Sequence, residues 1–158
     1  MQKVINDFIA DKHVAIVGVS RHKQKWGSML SDMLVKKGYT VYPVNPKATE
    51  INGVKCYASI KDLPENVQSA IIATPREATE LIMKDLPGSN IKRVWLQKGA
   101  GKHSSESLQA IADAKSNGVE VVYGFCPMMF YEGGAMHGTH LFFRKLIGNV
   151  PQEYKNKG

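Results

Sequence analysis

The sequence predicts an α/β domain: a doubly wound, five-stranded, mainly parallel sheet with helices on both faces. Three observations carry this. Short apolar runs alternate with segments of helical periodicity from end to end. The runs are apolar almost throughout, as strands buried on both faces require, rather than at every second residue. The chain has 158 residues, 43% hydrophobic and 22% charged, which suits one folded domain with a proper core.

"VAIVGV" (14–19) reads as the first strand. "WGSMLSDMLVKKG" follows as a helix, with Met29, Leu30, Met33 and Leu34 at helical spacing and Gly38 as its stop. "YTVYPVNP" (39–46) is a second strand closed by proline. "INGVKCYASIKDLP" is irregular, with a turn at Asn52-Gly53 and a brief helical piece ending before Pro64. "SAIIATP" (69–75) is the third strand, and "REATELIMKDLPG" a helix with Pro75 in its first turn. "IKRVWLQKG" (91–99) is the fourth strand, with Trp95 in the core. "SSESLQAIADAKSNG" is a serine-capped helix with Leu108, Ile111 and Ala112 on one face and Gly118 as its stop. "VEVVYG" (119–124) is the fifth strand, and "HLFFRKLIG" (140–148) a closing helix on the sheet edge.

No apolar run approaches a membrane span, and "MQKVINDFIADKH" carries acids where a secretory signal needs an apolar stretch, so a cytoplasmic protein is expected. Cys56 and Cys126 lie far apart without metal-ligand spacing and are expected as thiols. Twenty-one Lys and Arg against 14 Asp and Glu give +7, which suits an anionic ligand. These cations are scattered, with no basic stripe or interleaved aromatics, so nucleic acid is not the expected partner. The exception is the cluster Arg21-His22-Lys23-Gln24-Lys25.

In a doubly wound sheet, ligands bind beyond the carboxyl ends of the strands. At the first end, Gly18, Val19 and Ser20 lead into the basic loop, and Gly27, beside Trp26, opens the next helix, whose N-terminus attracts phosphate. The spacing is G-x-S-x6-G, longer than the dinucleotide fingerprint G-x-G-x-x-G. At the second end stands Asn45-Pro46-Lys47, where an NAD site carries an acid. A lysine there either pairs with a phosphate on the adenosine ribose, as in coenzyme A or NADP, or simply faces solvent after a proline turn. Thr74-Pro75-Arg76 brings a further helix start and a cation, and Gln97 before a glycine-rich turn offers a donor and an acceptor.

"VAIVGVS", "GYTVYPVNPKATEINGVKCYASIKDLP", "AIIATPREATE" and "VWLQKGA" together resemble the small CoA-binding domain family, which is similar to the N-terminal domain of the succinyl-CoA synthetase α subunit. The resemblance spans about residues 8–127 of one domain over 1–158, leaving a C-terminal extension from about 128. It implies a Rossmann-like fold that binds coenzyme A. The loop from Gly18 to Gly27, with Arg21 and Lys25, would hold phosphates. Lys47 would lie near the adenosine end, and Thr74-Pro75 would line the adenine and ribose pocket. The synthetase's phosphohistidine belongs to a second domain, so ligase activity is not implied.

Cys126 before Pro127 is either a small buried residue or a thiol activated by His137 or His140. His137 and His140 with Cys126 lack dependable further ligands for a metal. His13 and His103 have no evident partner, and acids are absent from the strand ends. Met128, Met129 and Met136 with Phe130 and Tyr131 read as core or a dimer seam, with a pantetheine wall as the alternative. The expected function is non-catalytic binding of CoA or an acyl-CoA, as a sensor, carrier or partner subunit, with a homodimer plausible. The alternative is an NADP-binding enzyme or redox regulator.

Overall fold

A computed structural model describes residues 1–98, 104–131 and 151 of the chain. The elements run α1 (Gln2–Ala10), β1 (His13–Val17), α2 (Trp26–Lys36), β2 (Thr40–Val44), β3 (Glu50–Ile51) and β4 (Val54–Lys55). A 3-10 turn (Ile60–Asp62) leads to β5 (Ser69–Ile72), α3 (Arg76–Met83), β6 (Arg93–Leu96), α4 (Leu108–Ser116), β7 (Glu120–Val122) and α5 (Met128–Tyr131).

The main sheet has five strands in the order β2-β1-β5-β6-β7, every neighbouring pair parallel. Strand order therefore reverses between β1 and β5, and this fixes the topological switch point. The near-continuous apolar runs follow from a sheet covered twice. Val14, Ile16, Ile71 and Trp95 pack with Ile5, Phe8, Leu30 and Leu34, and with Tyr131 of α5. Ala15, Val17, Ile72 and Leu96 pack against Ile60, Leu63, Met83, Ala110 and Ala114. Pro43 interrupts no ladder, because β2 is the edge strand of the main sheet and its outer side meets an isolated bridge between Val44 and Tyr57, in which Pro43 only accepts. Asn52 (φ 52°) and Gly53 (φ 78°) supply the two left-handed residues that join β3 and β4 in a tight antiparallel hairpin.

The strands end sooner than their apolar runs, and the residues beyond β1, β5 and β6 form loops at the rim. One element is added and two expectations change. The first residues form α1, whose Val4, Ile5 and Phe8 are buried. In α4 the buried face is Ala110 and Ala114, while Leu108 is 88% exposed. These small side chains are the ones turned to the core where α4 packs beside β7. His13, expected to lack a partner, has Nδ1 3.0 Å from the Tyr42 hydroxyl and 3.2 Å from Asn66 Nδ2. The predicted closing helix, His103, Met136, His137 and His140 lie outside the described residues. No helix among the described residues is long and apolar enough to cross a membrane.

Candidate functional site

The first loop is organised by close packing. Gly18 adopts φ 99°, and a Cβ there would sit 2.9 Å from the Ala73 carbonyl oxygen and 3.0 Å from Thr74 Cγ2. Gly27, in the first turn of α2, is equally constrained: a Cβ would meet the Gly18 carbonyl oxygen at 2.8 Å. The two glycines thus let the start of α2, the end of β1 and the turn after β5 converge at the switch point. Ser28, buried beneath them, grips the loop. Its hydroxyl donates to the Ser20 carbonyl at 2.7 Å and accepts from the Ser20 N–H at 3.1 Å. The Ser20 hydroxyl accepts from the His22 N–H, closing a local turn. Arg21 and Lys25 stand exposed on this loop, Trp26 packs partly into the core, and Val19 is fully in it. The α2 N-terminus has no side-chain cap, and such a helix start favours an anion.

Asn45 connects the second strand end to the first. Its Nδ2 donates to the Val19 carbonyl at 2.8 Å, and its Oδ1 accepts from the Lys47 N–H at 2.9 Å. That side chain makes Pro46-Lys47 a fixed corner, with the Lys47 side chain exposed. Residues 56–60 then fold back over β2: the Tyr57 carbonyl accepts from the Asn45 N–H, and the Tyr57 N–H donates to the Pro43 carbonyl. Burial pushes the Cys56 thiol above its ordinary pKa, so it stays protonated at neutral pH.

A cavity of about 530 Å³ opens at this corner. Gly18, Asn45, Pro46, Lys47 and Thr74 line it at the strand ends, and Val17, Val44, Ile60, Leu81 and Ile82 give it apolar walls. Its size and its few convergent polar groups suit a small organic ligand. Sequence reasoning missed the far lining, Ser59 and Asp85, which come from the crossover after β2 and the end of α3. Ser59 had a local signal in the Ser59-x-x-Asp62 capping box, which does form, the Ser59 N–H donating to Asp62 Oδ2; Asp85 had none. A larger hollow of about 730 Å³ lies between α3 and α4, away from the strand ends.

The remaining predicted residues gather elsewhere on the rim. Pro75 stands one residue before α3, as its cap, rather than in its first turn. The Thr74 hydroxyl lies 2.9 Å from that of buried Thr79, and the Thr74 carbonyl accepts from Ser105 Oγ at 2.6 Å. Arg76 turns to the other side, its Nε donating to the Glu106 carbonyl at 2.9 Å. Gln97 is buried at the β6 end, where its carbonyl accepts from the Ser105 N–H. An acid does reach the strand ends, contrary to expectation. Glu106 accepts from Lys98 Nζ at 2.7 Å and from the Gly124 N–H, through a loop whose direction the sequence does not reveal. Cys126 is half-buried beside α5, while Met129 and Tyr131 belong to the core. Tyr131 donates its hydroxyl to the Phe8 carbonyl.

Known proteins are similar to this chain in sequence and fold. The ADP-forming acetate–CoA ligase I of Archaeoglobus fulgidus is 32% identical over 133 residues, covering 81% of this chain and 19% of the ligase. A conserved hypothetical protein of Pyrococcus furiosus superposes with a TM-score of 0.67 at 33% identity, over 73% of this chain and 96% of that one. The apo form of the dinucleotide-forming acetyl-coenzyme A synthetase 1 of Ca. Korarchaeum cryptofilum superposes with a TM-score of 0.61 at 30% identity, over 70% of this chain and 25% of that one. The chain thus spans about a fifth of the ligase it matches. The CoA binding domain family matches residues 12–132, which take in β1, the glycine loop, the cavity and the chain through α5; this protein belongs to that family.

Proposed function

We propose that this chain binds coenzyme A or an acyl-CoA, as a non-catalytic cytoplasmic binding protein, in the cavity beyond β1, β2 and β5. The observation that carries the reading is convergence. Gly18, Asn45 to Lys47 and Thr74 come from three separate strand ends and line one cavity at the switch point, in a member of the CoA-binding domain family. In this reading the loop from Gly18 through Ser20, Arg21 and Lys25 to Trp26 and Gly27 receives the pyrophosphate at the uncapped start of α2. Lys47 pairs with the ribose 3′-phosphate, and Thr74-Pro75 flanks the adenosine. Arg76 and Gln97 shape the neighbouring wall from their contacts with the 104–107 segment. The ligand-holding unit is a single domain over residues 1–158, with its core at about 8–127 and a C-terminal extension from about 128.

Parallel calorimetric titrations with CoA, dephospho-CoA and NADP test it. CoA is expected to bind, and removal of its 3′-phosphate to weaken binding about tenfold, the loss of one cation–phosphate contact. NADP binding more tightly than CoA would favour the redox alternative, and silence toward all three would end the proposal.

A further inference from the structure

The same cavity has two chemically opposite ends. At the strand ends stand Asn45 and the cationic Lys47; at the far end stand Ser59 and the carboxylate of Asp85. Asp85 follows α3, whose eight residues from Arg76 to Met83 span roughly 12 Å at about 1.5 Å per residue. The cavity therefore runs from the rim down between α3 and the 3-10 turn, with aliphatic walls from Ile60, Leu81 and Ile82. Aliphatic walls with a carboxylate at one end suit an apolar ring that carries a polar edge.

The hydrogen bonding at this far end is one-sided. Asp85 Oδ1 takes Lys61 Nζ at 2.8 Å, and Oδ2 accepts from the Ser59 hydroxyl at 3.3 Å. Ser59 Oγ also accepts from the Lys61 N–H, while its one proton is the one given to Asp85. Lys61 itself does not line the cavity. An ionised carboxylate has about four acceptor sites and no donor, so two protein contacts leave it able to accept more. Toward the cavity this end offers acceptors. A base carrying an exocyclic amine satisfies them; a base carrying a carbonyl at that position sets oxygen against oxygen.

We infer that Asp85, supported by Ser59, reads the base of the bound nucleotide and selects the 6-amino group of adenine over the 6-oxo group of hypoxanthine. The inference rests on the CoA reading above and deepens it. It also orients the ligand, with base toward Asp85 and ribose phosphate toward Lys47.

The test compares CoA with its deaminated, hypoxanthine-bearing analogue by calorimetry, first on the unaltered protein. CoA is expected to bind about tenfold or more tightly, because the analogue leaves a charged acceptor facing an oxygen. Asp85→Asn, whose amide can donate to the 6-oxo group, is expected to bring the two within about twofold or to invert the preference. The dependence on the 3′-phosphate should survive in that variant. Equal binding of the two compounds by the unaltered protein would overturn the inference while leaving CoA binding intact, and so would an equal loss for both in the variant. Failure of both compounds to bind would overturn the CoA reading and this inference with it. If the variant does not fold, the comparison on the unaltered protein still decides.

Discussion

The carboxyl rim of the sheet has two halves, and they use similar residues in opposite ways. Beyond β2, β1 and β5, the backbone is drawn together by Gly18 and Gly27, a 530 Å³ cavity opens, and Arg21, Lys25 and Lys47 stand exposed. Beyond β6 and β7, the polar groups meet each other. Ser105 Oγ donates to the Ile72 and Thr74 carbonyls, Glu106 takes Lys98 and the Gly124 N–H, and Arg76 donates to the Glu106 carbonyl. The Phe125 carbonyl accepts from the Trp95 indole and from the Lys98 N–H. Position at a strand end is thus not sufficient to make a ligand site. A site also needs volume and polar groups that the protein has not already satisfied internally.

The largest expected effect breaks the open half at its hinge. Gly18→Ala places a Cβ against the Ala73 carbonyl at a positive φ, so both strain and overlap act on backbone that cannot swing away. A loss of about 3 kcal/mol in chemical denaturation is expected, together with loss of CoA binding; an unchanged unfolding midpoint would refute the packing argument. On the closed half, Glu106→Gln deprives Lys98 of its charged partner and weakens the hold on Gly124. Stability should fall by about 1–2 kcal/mol. CoA affinity should stay within about twofold, and a tenfold loss there would erase the contrast between the halves.

Lys47→Ala sharpens the comparison from the ligand's side. CoA should bind about tenfold more weakly, near 1.4 kcal/mol, while dephospho-CoA is unaffected. A matching loss for both ligands would move Lys47 away from the 3′-phosphate. The smallest effect is alkaline. Burial raises the Cys56 pKa above its ordinary 9.0, so the protonated thiol's contribution is complete below that value and declines as pH rises through the folded-state pKa. Melting temperature should therefore fall at alkaline pH, and Cys56→Ala should make that fall shallower. Burial also raises the Tyr131 hydroxyl's pKa, so part of the decline should remain in that variant.

Much of the fold was legible because strands buried on both faces leave a local record. "VAIVGV" and "SAIIATP" are continuous apolar runs, and Gly38 and Gly118 mark helix ends with φ of 81° and 70°. The spacing of Val4, Ile5 and Phe8 is likewise a local record of α1. Leu108 shows the limit of periodicity. It shares a helical pattern with apolar neighbours, yet the face that meets the sheet is the one whose alanines let α4 approach. In the candidate site, Gly18, Asn45, Lys47 and Thr74 could be picked out because each follows a recognisable strand. Ser28, Ser59, Asp85, Ser105 and Glu106 could not, because each acts across a loop or crossover on a residue distant in sequence.

The sequence by itself determined the alternation of strands and helices, the parallel sheet, and which residues stand at the strand ends. These follow from local period, turn chemistry and the burial that a doubly covered sheet imposes. Only the tertiary structure decided which strand ends enclose a cavity, that Arg76 turns toward Glu106, and that Ser59 and Asp85 close the slot opposite Lys47. The reason is physical. Hydrophobic periodicity fixes the face a residue presents, whereas polar pairing and cavity shape depend on which non-local groups arrive to meet it.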